Sequence, residues 1–183
     1  MIKLADVEPD FIKYTHVGVD TETTGVVKYS EVIEVTCTEF NVDGEIGETI
    51  SYLCEPVSGS IPAGASKVNG IFMADVKGMP SFLTGGVRTD VGTFIDERKV
   101  VAHNAPFDVR MMRINFRENQ VEDTLKMARK KWPNGKNNLK ACINKIGREW
   151  DDKKAHRAAY DVEKCIELYL YLKNGDDRLP TFL

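Results

Sequence analysis

Asp20 and Glu22 stand two residues apart, where the apolar run 14–20 gives way to Thr23-Thr24-Gly25. Residues i and i+2 of a strand point to the same side, so both carboxylates share one face. Two like charges so close are unfavourable unless protonated or neutralised by a cation. Gly25 lets the chain turn sharply after them. Asp108 lies in His103-Asn104-Ala105-Pro106-Phe107-Asp108, just after the short apolar run Lys99-Val100-Val101-Ala102, and His156 and Asp161 begin the last apolar-periodic stretch. Singly, these residues have ordinary explanations: a solvated strand end, an acid favoured by a helix dipole, a surface histidine. Together, four carboxylates and one histidine at element ends make a set that one fold can gather. Without cations, four converging acids repel. With two divalent cations they form a hard oxygen cage suited to Mg²⁺ or Mn²⁺. Two such ions about 3.5–4 Å apart stabilise the attacking and leaving oxygens of a phosphoryl displacement. A nearby neutral histidine can take the proton from the attacking water.

Three segments carry a resemblance. Asp20-Thr21-Glu22-Thr23-Thr24-Gly25, His103-Asn104-Ala105-Pro106-Phe107-Asp108 and His156-Arg157-Ala158-Ala159-Tyr160-Asp161 resemble the three motifs of the DnaQ-like, or DEDD, 3′–5′ exonuclease superfamily. The five-residue step from His156 to Asp161 is that of the histidine subgroup, DEDDh. The tyrosine subgroup would want Tyr at position 157, which is Arg. The stretches Ala65-Ser66-Lys67-Val68-Asn69-Gly70-Ile71 and Glu122-Asp123-Thr124-Leu125-Lys126-Met127-Ala128-Arg129 are similar too, so the resemblance spans about 14–173.

The resemblance implies an α/β, RNase H-like fold, with a mixed five-stranded sheet flanked by helices. It implies hydrolysis of nucleic acid from the 3′ end, releasing nucleoside 5′-monophosphates with two divalent ions, Mg²⁺ or Mn²⁺. Carried over, Asp20, Glu22 and Asp161 ligate one metal. Asp20 bridges to the second, and Asp108 holds that side, directly or through water. His156 is the general base. Thr23, with Glu22, grips the terminal 3′-hydroxyl, and Thr21 and Thr24 belong to the same substrate-binding motif. Asn104 and Phe107 line the pocket of the terminal nucleotide. His103 either contacts substrate or makes a structural hydrogen bond at the strand end. Asn69 stands near the terminal base, where many relatives carry histidine; it still hydrogen-bonds, so altered grip is expected, with the chemistry kept. The motif wording is that of the proofreading branch, whose members bind a polymerase through a long C-terminal tail. The chain ends about ten residues after its last helix, so a free-standing or phage-type enzyme is the expectation and a polymerase partner is uncertain.

The elements that must position these residues are legible in part. Residues 14–20, 31–40 and 48–54 read as three strands, the last two joined at Asp43-Gly44, with the middle one antiparallel to its neighbours. A short helix from about Ile61 closes at Gly70. A weaker helical pattern covers 80–97, interrupted by Gly85-Gly86. Strand 99–102 leads to a helix at Pro106, and a short strand near Val121 leads to a helix through Leu125, Met127 and Ala128, stopped at Pro133-Asn134-Gly135. Leu139, Cys142, Ile143 and Ile146 mark another helix, closed by Gly147, and the last runs from about His156 to Leu172. Tight antiparallel strands followed by strands returning through helices imply a mixed sheet covered by helices, in one domain over 1–183 with its core at about 14–173.

With 42% hydrophobic and 29% charged residues, the 183-residue chain has globular composition. No apolar run spans a bilayer, and Met1-Ile2-Lys3-Leu4-Ala5-Asp6 carries acid too early for a secretory signal. Cys37, Cys54, Cys142 and Cys165 form no CxxC pair and read as small buried side chains in a reducing compartment, so cytoplasm is expected. The net charge is −3, yet Arg117 to Arg157 holds 12 basic and 6 acidic residues. That stretch is either a solvated face or a docking surface for a polyanion. A 3′–5′ DNA exonuclease acting on single-stranded or frayed ends is the leading reading. An exoribonuclease of the oligoribonuclease or ribonuclease T kind is the alternative, since contacts to the 2′-hydroxyl are not legible. A catalytically silent nucleic-acid-binding module disagrees with the complete set of acids and histidine.

Overall fold

Alternation along one central strand decides which residues reach the site. The computed structural model describes residues 13–117, 119–175 and 180; the N-terminal segment read for a secretory signal lies outside them. β1 (His16–Thr23) lies between β2 (Val32–Phe40), antiparallel to it, and β4 (Lys99–Ala102), parallel to it. β3 (Ile46–Leu53) and β5 (Val121–Asp123) complete a mixed five-stranded sheet in the order β3-β2-β1-β4-β5. Val17 and Val19 bury one face of β1 in a cluster with Val87, Val91 and Ile95 of α3 (Val87–Ile95) and Met111 and Met112 of α4 (Ala105–Met112). The opposite face, with Gly18, Asp20 and Glu22, lies under α7 (Ala158–Asn174).

Gly18 makes that approach possible. A methyl group there would meet Ile166 Cγ1 at 2.7 Å and Cδ1 at 2.8 Å. The helix therefore rests on bare backbone, with Val162, Cys165, Ile166 and Tyr169 buried against Phe40 and Val101. Behind it, Ala128 of α5 (Thr124–Lys131) and Cys142, Ile143 and Ile146 at α6 (Leu139–Lys145) cluster around Leu168. All four cysteines are free and buried. Among the described residues, no helix is long and apolar enough to cross a membrane.

Beyond shifts of one or two residues at strand and helix ends, the elements differ from the sequence reading at four places, each for a local reason. β1 continues through Glu22 and Thr23, because they stay paired with β2 beyond Asp20. The helical pattern from residue 80 yields a helix only from Val87: Gly86, at φ 89°, reverses the chain first. A one-turn helix, α2 (Met73–Val76), follows α1 (Ala63–Asn69), too short for a periodic signal. The last helix begins at Ala158 and not at His156, whose φ of 61° is incompatible with a right-handed helix.

Gly18→Ala tests the seating of α7. Overpacking against Ile166 should lower stability by about 1–3 kcal/mol, read as a lower urea midpoint. Ile166→Val, which removes Cδ1, one of the two atoms in the clash, should recover part of the loss in the same chain. An unchanged midpoint for Gly18→Ala would contradict the close contact.

Candidate active site

The parallel strands β1 and β4 end side by side, and the acids collect at that edge. Glu22, His156 and Asp161 each bring a ligand-capable atom within 4.8 Å of the others. Asp161 enters from the first turn of α7, and His156 from the turn just before it. Asp108, only 3% exposed, enters from the first turn of α4. Its Oδ1 accepts the Thr21 N–H at 3.1 Å and the Thr21 hydroxyl at 2.7 Å. Thr21 thus ties α4 to β1 through Asp108.

The electrostatics are those of crowded acids. Burial pushes the Asp20 carboxyl well above the usual range, and Asp108, Glu22 and Asp161 push the same way. Glu22 rises to about 8, chiefly through burial, then through Asp161 and Glu34. Asp108 also rises by burial, with the Thr21 hydrogen bonds opposing. Asp161 rises to about 6, burial again outweighing the attraction of His156. Asp161 Oδ1 is buried and has no hydrogen-bond partner. Such an atom is costly unless something satisfies it. Hard carboxylate oxygens, one of them orphaned, form a donor set suited to a divalent cation.

Beside these acids lies a cavity of about 320 Å³, lined by Glu22, Thr23, Gly25, Val68, Asn69 and Phe107 among others. Thr23 donates its hydroxyl to Gly25 O at 2.6 Å, leaving the oxygen able to accept. Asn69 Nδ2 donates to Thr23 O at 3.4 Å, its Oδ1 accepts Ile71 N–H at 3.0 Å, and its side chain also bonds Glu22. The Arg110 guanidinium sits over the Phe107 ring, 5.5 Å from its centroid. A second cavity, about 290 Å³, is lined by His156 and Asp161 together with Trp150 and Lys140.

Three sequence candidates make hydrogen bonds within the protein. Thr24 closes the β1–β2 loop by accepting Glu31 N–H at 2.9 Å. Both His103 ring nitrogens are engaged, Nδ1 with Thr124 Oγ1 at 2.9 Å and Nε2 with Asn137 O at 3.0 Å. Of its two sequence readings, the hydrogen bond at the strand end is the one realised. Asn104 sits at φ 76° ahead of α4, its N–H donated to Asp123 Oδ1 at 3.0 Å. The basic stretch is partly consumed internally as well. Lys140 pairs with Asp152 at 2.6 Å, Lys145 reaches Asn137 Oδ1 at 2.9 Å, and Lys131 lies 4.8 Å from the Tyr171 ring centroid.

One acid escaped the sequence reading. Glu34 of β2 pairs across the ladder with Glu22 and is 4% exposed. It accepts Arg157 Nη2 at 2.7 Å and Nε at 3.2 Å, and its other oxygen accepts the Ala158 N–H at 3.0 Å. Glu34 stands within the strand 31–40 legible in the sequence; its partner 123 residues away is not.

Comparison with known proteins agrees with this arrangement. A model of the exonuclease family matches residues 17–169. The DNA polymerase III subunit epsilon of Haemophilus influenzae is 30% identical, over 87% of this chain and 68% of that protein. Its Pasteurella multocida counterpart is 28% identical over the same shares. Among solved structures, exonuclease X in complex with 5′-overhanging duplex DNA aligns with a TM-score of 0.68 and 25% identity, covering 89% of this chain and 95% of that one. E. coli exonuclease I in complex with a dT13 oligonucleotide gives a TM-score of 0.74 at 17% identity, over 89% of this chain but 42% of its own, a likeness of fold. With the motif residues gathered at one sheet edge and the family model spanning nearly the whole described chain, this protein belongs to the exonuclease family, as a DnaQ-like 3′–5′ exonuclease.

Proposed function

We propose that this chain, as a single exonuclease domain, removes nucleotides from the 3′ end of DNA, preferring single-stranded or frayed ends, and releases nucleoside 5′-monophosphates. The observation that carries the reading is the convergence of Glu22, His156 and Asp161 within 4.8 Å beside a cavity for one nucleoside. Its volume of about 320 Å³ lies at the small end of ligand sites, which run from about 300 to 1,000 Å³. DNA is preferred to RNA because the similar proteins named above are a DNA polymerase subunit and a nuclease in complex with DNA. The cytoplasm is the proposed location.

Asp20, Glu22, Asp108 and Asp161 would hold two divalent cations, Mg²⁺ or Mn²⁺. When bound, such ions activate water and neutralise charge on a phosphoryl group in displacement. The protein's own part is positional and protolytic. Thr23, through its free hydroxyl lone pairs, and Glu22 hold the terminal 3′-hydroxyl. Phe107 packs against the terminal sugar or base, its ring backed by Arg110. His156, exposed in the wall of the second cavity, takes the proton from the attacking water at an imidazole nitrogen. The departing strand leaves past Trp150. Asn69, in the wall of the same cavity as Thr23 and Phe107 and braced by Thr23 and Ile71, stands near the terminal base.

Two measurements test the reading. With Mg²⁺ and end-labelled oligonucleotides of equal length, wild type should give a 3′-to-5′ ladder on single-stranded DNA. Asp20→Asn and Asp161→Asn should abolish it with the circular dichroism unchanged, and His156→Ala should slow it roughly 10²–10⁴-fold. Faster cleavage of the RNA ladder would turn the substrate assignment to the exoribonuclease reading, and normal turnover by either Asp variant would refute the metal ligands.

The second measurement follows from linkage. Unfolded, Glu22 loses its proton near 4.5; folded, it keeps it until about 8. The folded state therefore binds more protons across that window, and stability falls as pH rises through it. Chelator-treated protein should show a melting temperature that declines from about pH 5 to about pH 8. Added Mn²⁺ should raise the midpoint more at pH 8 than at pH 5, because binding needs the deprotonated acids. A midpoint indifferent to pH and Mn²⁺ would leave the acids without their proposed role.

A further inference from the structure

The chain reverses sharply at the entrance to α7. His156 occupies the left-handed region at φ 61°, which a residue with a Cβ adopts only when its surroundings enforce it. Its imidazole lies with Glu22 and Asp161, while the next side chain, Arg157, turns to Glu34. The guanidinium reaches Glu34 by two nitrogens, Nη2 at 2.7 Å and Nε at 3.2 Å from Oε1. Glu34 is buried near the start of β2, directly across from Glu22. Its other oxygen accepts Ala158 N–H, one residue further on, where α7 has no side-chain cap of its own. Residues 157 and 158 are thus both pinned to one carboxylate, and residue 156 is left no freedom to relax.

We propose that Glu34 and Arg157 are positioning residues: their paired contact, with the Ala158 N–H bond, locks the left-handed turn that holds the His156 imidazole against Glu22 and Asp161. This rests on the reading of His156 as general base. The contact acts through geometry, since a bidentate fork fixes direction where a single charge does not. It also explains why an acid sits at position 34 beside an already crowded set of carboxylates.

The test is a double-mutant cycle on the full chain, with Mg²⁺ and single-stranded DNA. Arg157 is half-exposed, so Arg157→Met should fold; circular dichroism and the melting temperature check this. Its kcat should fall roughly 10- to 100-fold, a misplacement magnitude, with KM and the Mg²⁺ half-saturation within about twofold of wild type. Glu34→Gln, which keeps an acceptor for Ala158 N–H, should do the same, and Arg157→Lys should recover only part of the rate. In a His156→Ala background, Arg157→Met should cost no further rate. A wild-type kcat for Arg157→Met overturns the proposal. So does an equal loss in both backgrounds, which would make the pair a helix anchor only. A shifted Mg²⁺ half-saturation in Glu34→Gln would make Glu34 a member of the ion-binding set instead. Should His156→Ala itself turn over normally, the base assignment fails and the positioning role falls with it, an outcome visible from that single variant.

Discussion

Several carboxylates are pressed together at the end of β1, and the rest of the molecule is arranged around the cost of doing so. The strand's two-residue period puts Asp20 and Glu22 on one face, and Gly18 lets a helix lie directly on that face. Val162 and Ile166 bury their side chains there. Each such burial contributes about 1.5–3 kcal/mol, so the apolar seam of α7 supplies the energy that carries Asp161 into the repulsive neighbourhood. On the other face, Thr21 draws Asp108 in with two hydrogen bonds. Apolar packing and hydrogen bonding thus force together groups that electrostatics would separate. The raised carboxyls of Asp20, Glu22, Asp108 and Asp161 record that unresolved tension.

The same constraint separates what the sequence could reveal from what it could not. The strands, most helices and the acids were legible because period-2 and period-3.6 patterns and the three motifs are local signals. Gly18 was read as an ordinary strand residue; its significance depends on Ile166, 148 positions away. The helical pattern through Val162 and Ile166 was extended back to His156, because hydrophobic spacing says nothing about a left-handed residue at the entrance. Asn69 and His103 have side chains able to meet a ligand, and both also make hydrogen bonds within the protein, to Thr23, Ile71, Glu22, Thr124 and Asn137. Whether a polar side chain serves the scaffold or the cavity depends on which buried backbone groups lie nearby, and this emerges only in three dimensions.

Scaffold and chemistry are therefore hard to separate around the cluster. Asp123 accepts both the Leu125 N–H, starting α5, and the Asn104 N–H ahead of α4. His103 bridges Thr124 and the Asn137 carbonyl. These bonds knit the end of β4 to the helices beyond, so the left-handed Asn104 and the first turn of α4 are held from behind. Asp108 sits in that turn, so contacts that never touch it act alongside its own hydrogen bonds from Thr21 in setting its position.

Charge balance gives Glu34 its meaning. In the proposed arrangement, four carboxylates face two divalent cations, and the charges cancel. A fifth buried carboxylate directly across the ladder from Glu22 would upset that balance, raising the Glu22 and Asp161 carboxyls further, as it already does in the absence of ions. Arg157 offsets this by matching the fifth acid with a cation of the protein's own. The guanidinium stays charged throughout the working pH range, so it matches Glu34 whether or not ions are bound. A lysine would supply the charge without fixing the direction, and an apolar residue at 34 would remove the repulsion but leave the entrance of α7 unpinned. The pair thus occupies the one arrangement in which an acid beside the cluster adds rigidity without adding net charge.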